Sequence, residues 1–233
     1  MKSKTENIVM KNALARAQHE LKLSEKRIIA IAISKINSKA SKLNYKHEQS
    51  RTIKISAKEY QKIAGRKDRR NAYRDIIEIS ETLIKKQLTI KSNTMTGTKK
   101  TVINWVAAVE YETGRGEVEI TFTDKIMPYL CAIEDRFTAY ALKEAEGIKS
   151  IYTWRMLEFL TSWSTEKEGQ RRISIKDYKE MMETPPSHKN ADTIKRIIEP
   201  TIAELEKRGW TINYEKTKTG REITHITFSW RKP

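Results

Sequence analysis

The sequence predicts an α+β protein of two similar domains in tandem. Three observations carry that prediction: one order of features occurs twice, the chain has 233 residues, and 38% of them are hydrophobic. That length fits one large domain or two of roughly 100 to 120 residues, each able to bury a workable core, so the repeat decides for two. Charged residues reach 33%, so a globular fold with a heavily charged surface follows.

Each repeat begins with a helix, Leu23 to about Ile36 in the first and Ile151 to about Trp163 in the second, with Arg27 and Arg155 at comparable places. A short strand ending at Ile55 or Ile173 comes next. It runs into Ser56-Ala57-Lys58-Glu59-Tyr60 or Ser174-Ile175-Lys176-Asp177-Tyr178. In both, the serine caps a second helix and the acid three residues later reaches back to the serine amide, the capping-box pattern.

The third helix carries Ile76-Ile77-Glu78 or Ile197-Ile198-Glu199, and its apolar spacing runs through Leu83 or Leu205 to strands at Thr89-Ile90 and Thr211-Ile212. Pro200 lies inside the second of these helices and predicts a kink or a restart, because proline has no amide hydrogen to donate. A last strand closes each repeat, Ile120-Thr121-Phe122-Thr123 and Ile226-Thr227-Phe228-Ser229, with the alternation of a half-buried strand. Gly97, Gly114 and Gly116 mark turns in the first repeat and Gly220 in the second.

Helix, strand, helix, helix, strand, strand is the order of a winged helix, so the fold reads as two tandem winged-helix domains related by an internal pseudo-repeat. The expected boundaries are residues 1–123 and 150–233, joined by a helical connection over 124–149.

Lys and Arg number 46 against 30 Asp and Glu, a formal net charge of +16 that points to a polyanionic partner. In a winged helix the third helix enters the major groove of double-stranded DNA and the hairpin wing follows its backbone. The first repeat places Arg66, Lys67, Arg69, Arg70, Asn71 and Arg74 at the start of that helix, and the second places Lys189, Asn190, Thr193, Lys195 and Arg196 there. Arg grips a guanine edge with two hydrogen bonds and Asn does the same for adenine, while cations nearer the phosphates fix position. Cations at the positive end of a helix dipole are unfavourable unless an anion binds there. The proposed wings carry Lys91, Lys99 and Lys100 in one repeat and Lys216, Lys218 and Arg221 in the other. Lysines also blunt sheet edges, so an ordinary charged hairpin is the competing reading of these.

Other partners and chemistries find less support. Trp105, Trp154, Trp163, Trp210 and Trp230 fall within apolar patterns, so single-stranded nucleic acid is not favoured, since it asks for stacking platforms along a basic groove. No apolar run serves as a signal peptide or membrane span, and the lone Cys131 has no disulfide partner, so a cytoplasmic protein without membrane binding is expected. His19, His47, His188 and His225 are widely spaced and suggest no metal site. Gly97-Thr98-Lys99-Lys100-Thr101 lacks the spacing of a phosphate-cradling nucleotide loop. The paired histidines of rolling-circle nicking nucleases are missing. The expectation is a protein that works without catalysis, metal or cofactor.

A further set of stretches is Asn12-Ala13-Leu14-Ala15-Arg16-Ala17, Leu23-Ser24-Glu25-Lys26-Arg27, Asn71-Ala72-Tyr73-Arg74, Phe122-Thr123, Met127-Pro128-Tyr129-Leu130, Phe137-Thr138-Ala139-Tyr140 and Ser150-Ile151-Tyr152-Thr153-Trp154-Arg155. In order and spacing these resemble the iteron-binding replication initiator family of theta-type plasmids, over nearly the whole chain. The resemblance implies two winged-helix domains, the first also mediating dimerisation, and binding to directly repeated origin sequences. It also implies initiation by monomers and repression of the protein's own gene by dimers at an operator. With no ATP-hydrolysing or polymerising chemistry in the sequence, binding is expected to open or organise the origin and recruit host replication proteins. Arg69, Arg70, Asn71 and Arg74, and Thr193, Lys195 and Arg196, fall at the two recognition helices. A dedicated transcriptional repressor of the same fold is the main rival reading, and a nicking nuclease a weaker one.

Overall fold

A computed structural model describes residues 6–65, 71–112, 114–164 and 166–233. It divides into two compact units, Met1–Ile148 and Lys149–Pro233.

The first unit contains β1 (Asn7–Lys11), α1 (Asn12–Ala15), α2 (Leu23–Ser34), β2 (Thr52–Ser56), α3 (Ala57–Ala64), α4 (Ala72–Leu83), β3 (Gln87–Thr94), β4 (Gly97–Asn104), β5 (Val106–Tyr111), β6 (Glu117–Phe122) and β7 (Phe137–Ala141). Helix α2 is buried on every side from Glu25 to Ile33, as expected of a helix packed around its whole circumference. Its buried Glu25 carboxylate accepts from the Lys22 amide at 2.6 Å and from the Thr82 hydroxyl at 2.8 Å.

Strands β2, β6 and β5 form an antiparallel sheet in the order β2–β6–β5. Period-two alternation turns Ile55, Val118, Ile120 and Phe122 inward, all at 0% exposure, and sends Lys54 and Glu119 outward. Helix α3 starts on the predicted capping box, with the Ser56 amide donating to Glu59 at 2.8 Å and the Glu59 amide to Ser56 Oγ at 3.3 Å. It ends at Gly65, whose φ of 64° is left-handed and whose absent Cβ would stand 3.0 Å from Gly147 Cα.

Of the helical connection expected over residues 124–149, all but Lys149 belongs to the first unit. The alternation in Phe137-Thr138-Ala139-Tyr140 is that of a strand, and β7 pairs antiparallel with β1, Asn7 opposite Ala141. Helical content there is confined to short 3-10 turns at Met127–Tyr129 and Leu142–Ala145.

The second unit contains α5 (Ile151–Trp163), β8 (Glu168–Ser174), α6 (Ile175–Met182), α7 (Asn190–Thr193), α8 (Glu199–Glu206), β9 (Thr211–Thr219) and β10 (Glu222–Arg231). Its sheet order is β8–β10–β9, the same topology as β2–β6–β5. The core packs Phe159, Tyr178 and Phe228 with ring centroids 5.6 to 6.3 Å apart, close to edge-to-face around Phe159.

The cap of α6 departs from the expected reciprocal box. The Asp177 amide donates to Ser174 Oγ at 3.0 Å, and the Asp177 carboxylate takes the Ser174 hydroxyl at 2.7 Å, whereas Glu59, one methylene longer, takes both hydroxyl and amide of its serine. Pro200 falls in the first turn of α8, just after a π-helical turn at Ile194–Ile198 closed by the Glu199 N–H on the Ile194 carbonyl. The wide turn accommodates the missing proline donor and the helix restarts behind it.

Candidate nucleic-acid interface

In each unit the sheet places a β-hairpin beside the third helix, and each third helix exposes arginine or lysine. On α4, the exposed Asn71 is the residue before the helix and the exposed Arg74 sits in its first turn, 3.7 Å from Glu78 one turn later. Arg66, Lys67, Arg69 and Arg70, the densest part of the predicted basic patch, lie outside the described residues.

In the second unit Lys189, Lys195 and Arg196 are exposed, and Arg196 lies 3.6 Å from Asp192. Thr193 is corrected from a candidate contact to a core residue: it is 0% exposed and its hydroxyl donates to the Lys189 carbonyl at 3.2 Å. Spacing explains this, because Thr193 precedes the buried Ile197 by four residues and shares its face. Asn190 is half-buried, and its Nδ2 donates to the Ile223 carbonyl on β10 at 3.1 Å.

The wing of the second unit is the β9–β10 hairpin, turning at Gly220 with φ 59°. Lys216, Lys218 and Arg221 all stand exposed on it, with the Lys216 ammonium 5.4 Å from the Tyr214 ring centroid.

The wing of the first unit is a correction. Lys91, Lys99 and Lys100 are exposed on the β3–β4 hairpin, which forms its own two-stranded sheet and has no counterpart among the described residues of the second unit. By sheet topology the wing is the β5–β6 hairpin, which carries Glu110, Glu112, Glu117 and Glu119 with Arg115, the last 2.8 Å from Glu112. Two hairpins follow α4 in succession, and alternation alone cannot say which of them joins β2.

Side chains that sequence reasoning missed tie each third helix to its sheet. The Tyr73 phenol, in the first turn of α4, donates to the Glu112 carbonyl at 2.7 Å, and Tyr111 on β5 donates to Glu81 on α4 at 2.7 Å. In the second unit Tyr214 on β9 donates to Glu199 on α8 at 2.8 Å, alongside the Asn190 bond. Burial, with the bond to Glu199, pushes the Tyr214 phenol up to about 12, and the bond to Glu81 raises Tyr111. Both stay neutral donors at physiological pH.

Two units, each with a three-helix frame, a three-stranded sheet and an exposed cation-bearing helix beside a hairpin, define a tandem winged-helix protein. Its sequence matches the models of "Initiator Replication protein, WH1" over residues 7–161 and "Initiator Rep protein, WH2" over residues 174–230. The chain therefore belongs to the replication initiator family.

Among solved structures it is similar to the Pi initiator protein in complex with iteron DNA, at 19% identity and a TM-score of 0.79, covering 99% of both chains. It is also similar to domains 2 and 3 of RctB, at 6% identity and a TM-score of 0.51, covering 89% of this chain and 82% of that one. At these identities the likeness is one of fold. Among the described residues no helix is long and apolar enough to cross a membrane.

Proposed function

We propose that the protein initiates plasmid replication by binding directly repeated sites, iterons, in double-stranded origin DNA, working without catalysis, metal or cofactor. The observation that carries this reading is the repeated frame: the same helix-and-sheet topology occurs twice, and both third helices expose arginine or lysine, in a chain of net charge +16. Each third helix reads a major-groove segment, the two about one helical turn apart, so one protomer covers about two turns and the site lacks internal palindromy. Family membership and the fold shared with an initiator bound to iteron DNA support the same reading.

Arg74, Lys195 and Arg196 are the described candidates for base edges, and Arg66, Lys67, Arg69 and Arg70, outside the described residues, stay candidates by sequence. Lys189, Lys216, Lys218 and Arg221 serve phosphates in the second unit, and Lys91, Lys99 and Lys100 on the extra hairpin do so in the first. Binding opens the origin and recruits host replication proteins, while a dimer represses the protein's own gene. Self-association through the first unit is supported by β4, which among the described residues pairs only with β3 and leaves an open strand edge.

A binding titration of the monomeric fraction on DNA upstream of its own gene, against a scrambled duplex, tests the proposal. Tight binding to several direct repeats supports an initiator, and binding confined to one palindrome replaces it with a dedicated repressor. Equal affinity for both duplexes removes sequence-specific recognition altogether. Metal-dependent cleavage of supercoiled DNA would restore the nicking-nuclease reading.

A further inference from the structure

In both units a polar side chain from the first turn of the third helix crosses to the backbone of the wing. Tyr73 donates to the Glu112 carbonyl, at the foot of the β5–β6 connection, at 2.7 Å. Asn190 donates to the Ile223 carbonyl at 3.1 Å. The residue types differ, yet each bond joins the same two elements.

The placement of the Asn190 bond is informative. Ile223 pairs with Lys218 across the hairpin, and the register slips immediately afterwards, between Ile223 and His225, with the Thr224 hydroxyl donating to the Thr217 carbonyl at 3.3 Å. Beyond that bulge the hairpin from Lys218 to Glu222 is exposed on both faces. A two-stranded ribbon with no packed face holds its direction poorly by itself. The Asn190 bond thus meets the ribbon where its support ends, at the pair that carries Lys218 and ahead of Arg221. It also turns Nδ2, the atom that would donate to adenine N7, onto the protein's own backbone, which is poor geometry for a two-bond grip on adenine.

We infer that Asn190 is a positioning residue that locks the second unit's wing at a fixed angle to its third helix, so that base reading and phosphate contact occur in one register; Tyr73 makes the corresponding tie to the acidic wing of the first unit. In the second unit Asn190 acts through Lys218 and its neighbours rather than on a base. The inference rests on the DNA-binding reading above.

The test uses the full-length protein and two probes: a duplex that the wild type selects from a random library, and a mixed-sequence duplex of equal length. Failure of the wild type to select any sequence would sink the DNA-binding reading itself, before any variant is compared. With wild-type selection established, Asn190→Ala is expected to lose about three- to tenfold in affinity for the selected duplex and to flatten the log affinity against log salt slope by about 1. Its base preferences should stay unchanged, and in a Lys218→Ala background it should cost less than twofold more.

Loss of preference at a single base pair with an unchanged slope would make Asn190 a base reader and overturn the inference. So would unchanged affinity, or a full additive loss in the Lys218→Ala background. If Asn190→Ala does not fold, Asn190→Leu, which keeps the size of the side chain and removes the donor to the Ile223 carbonyl, decides the matter. It should lose affinity and phosphate protection beside the second unit's segment with base preferences intact, and wild-type affinity and protection would overturn the inference.

Discussion

The Arg155 guanidinium, 4% exposed, is paired with Glu183, the residue that ends α6 in the left-handed region at φ 53°. Arg155 also donates to the Met181 carbonyl, so one side chain of α5 fixes the last turn of α6 just ahead of the second unit's base-reading segment. The first unit solves the same problem differently, with Gly65 at the equivalent helix end and Arg27 donating to the Ile148 carbonyl at 2.8 Å.

Removing Arg155 leaves a carboxylate without its ion-pair partner at a strained position. Arg155→Ala is expected to destabilise the second unit by about 3 to 5 kcal/mol in denaturant titrations. Adding Glu183→Gly to that variant should restore about 1 kcal/mol, because glycine takes a left-handed φ freely.

The cap of α3 carries a pH dependence. Burial alone would raise the Glu59 carboxyl, but hydrogen bonds from Lys35 and Ser56 outweigh it and hold the group below its ordinary value of 4.5. A depressed carboxylate contributes stability that is fully present above the unfolded value and is lost as pH falls through the folded one. Glu59→Gln should therefore be less stable than wild type at neutral pH, with the gap closing in acid below the folded value. Ser56→Ala, which removes the other half of the cap, should cost about 1 kcal/mol. Equilibrium unfolding across that pH range checks both.

Salt dependence reads the charge argument directly. With six to ten phosphates neutralised, log affinity should fall with log salt at a slope of roughly −5 to −9. A slope near zero would remove phosphate contact as the source of affinity.

Single substitutions separate the exposed arginine from the buried threonine. Arg196→Ala should cost about 1 to 3 kcal/mol of discrimination at particular base pairs, and an equal loss on all sequences would reassign it to phosphate. Thr193→Val should cost stability of about 1 kcal/mol through the lost hydroxyl bond, with base preferences unchanged.

The repeated frame was legible because α4 and the strands β6 and β10 carry clear apolar periods, because α2 and α5 are apolar runs of helical length, and because the serines at 56 and 174 mark helix starts by local chemistry. The extra hairpin was not, since β3–β4 and β5–β6 both alternate and only long-range pairing with β2 selects between them. The burial of Thr193 was legible in principle from its spacing to Ile197, but its polarity argued the other way. The bonds of Tyr73 and Asn190 leave no local trace, because their acceptors are backbone carbonyls dozens of residues away. The basic run Arg66 to Arg70 was the clearest charge signal in the sequence and lies outside the described residues.

The most direct test of the account is a footprint of the monomeric protein on DNA upstream of its own gene. The prediction is regularly spaced direct repeats, each protected over about two helical turns, with two major-groove contacts about one turn apart. Protection of a single turn per site would contradict tandem reading by the two units.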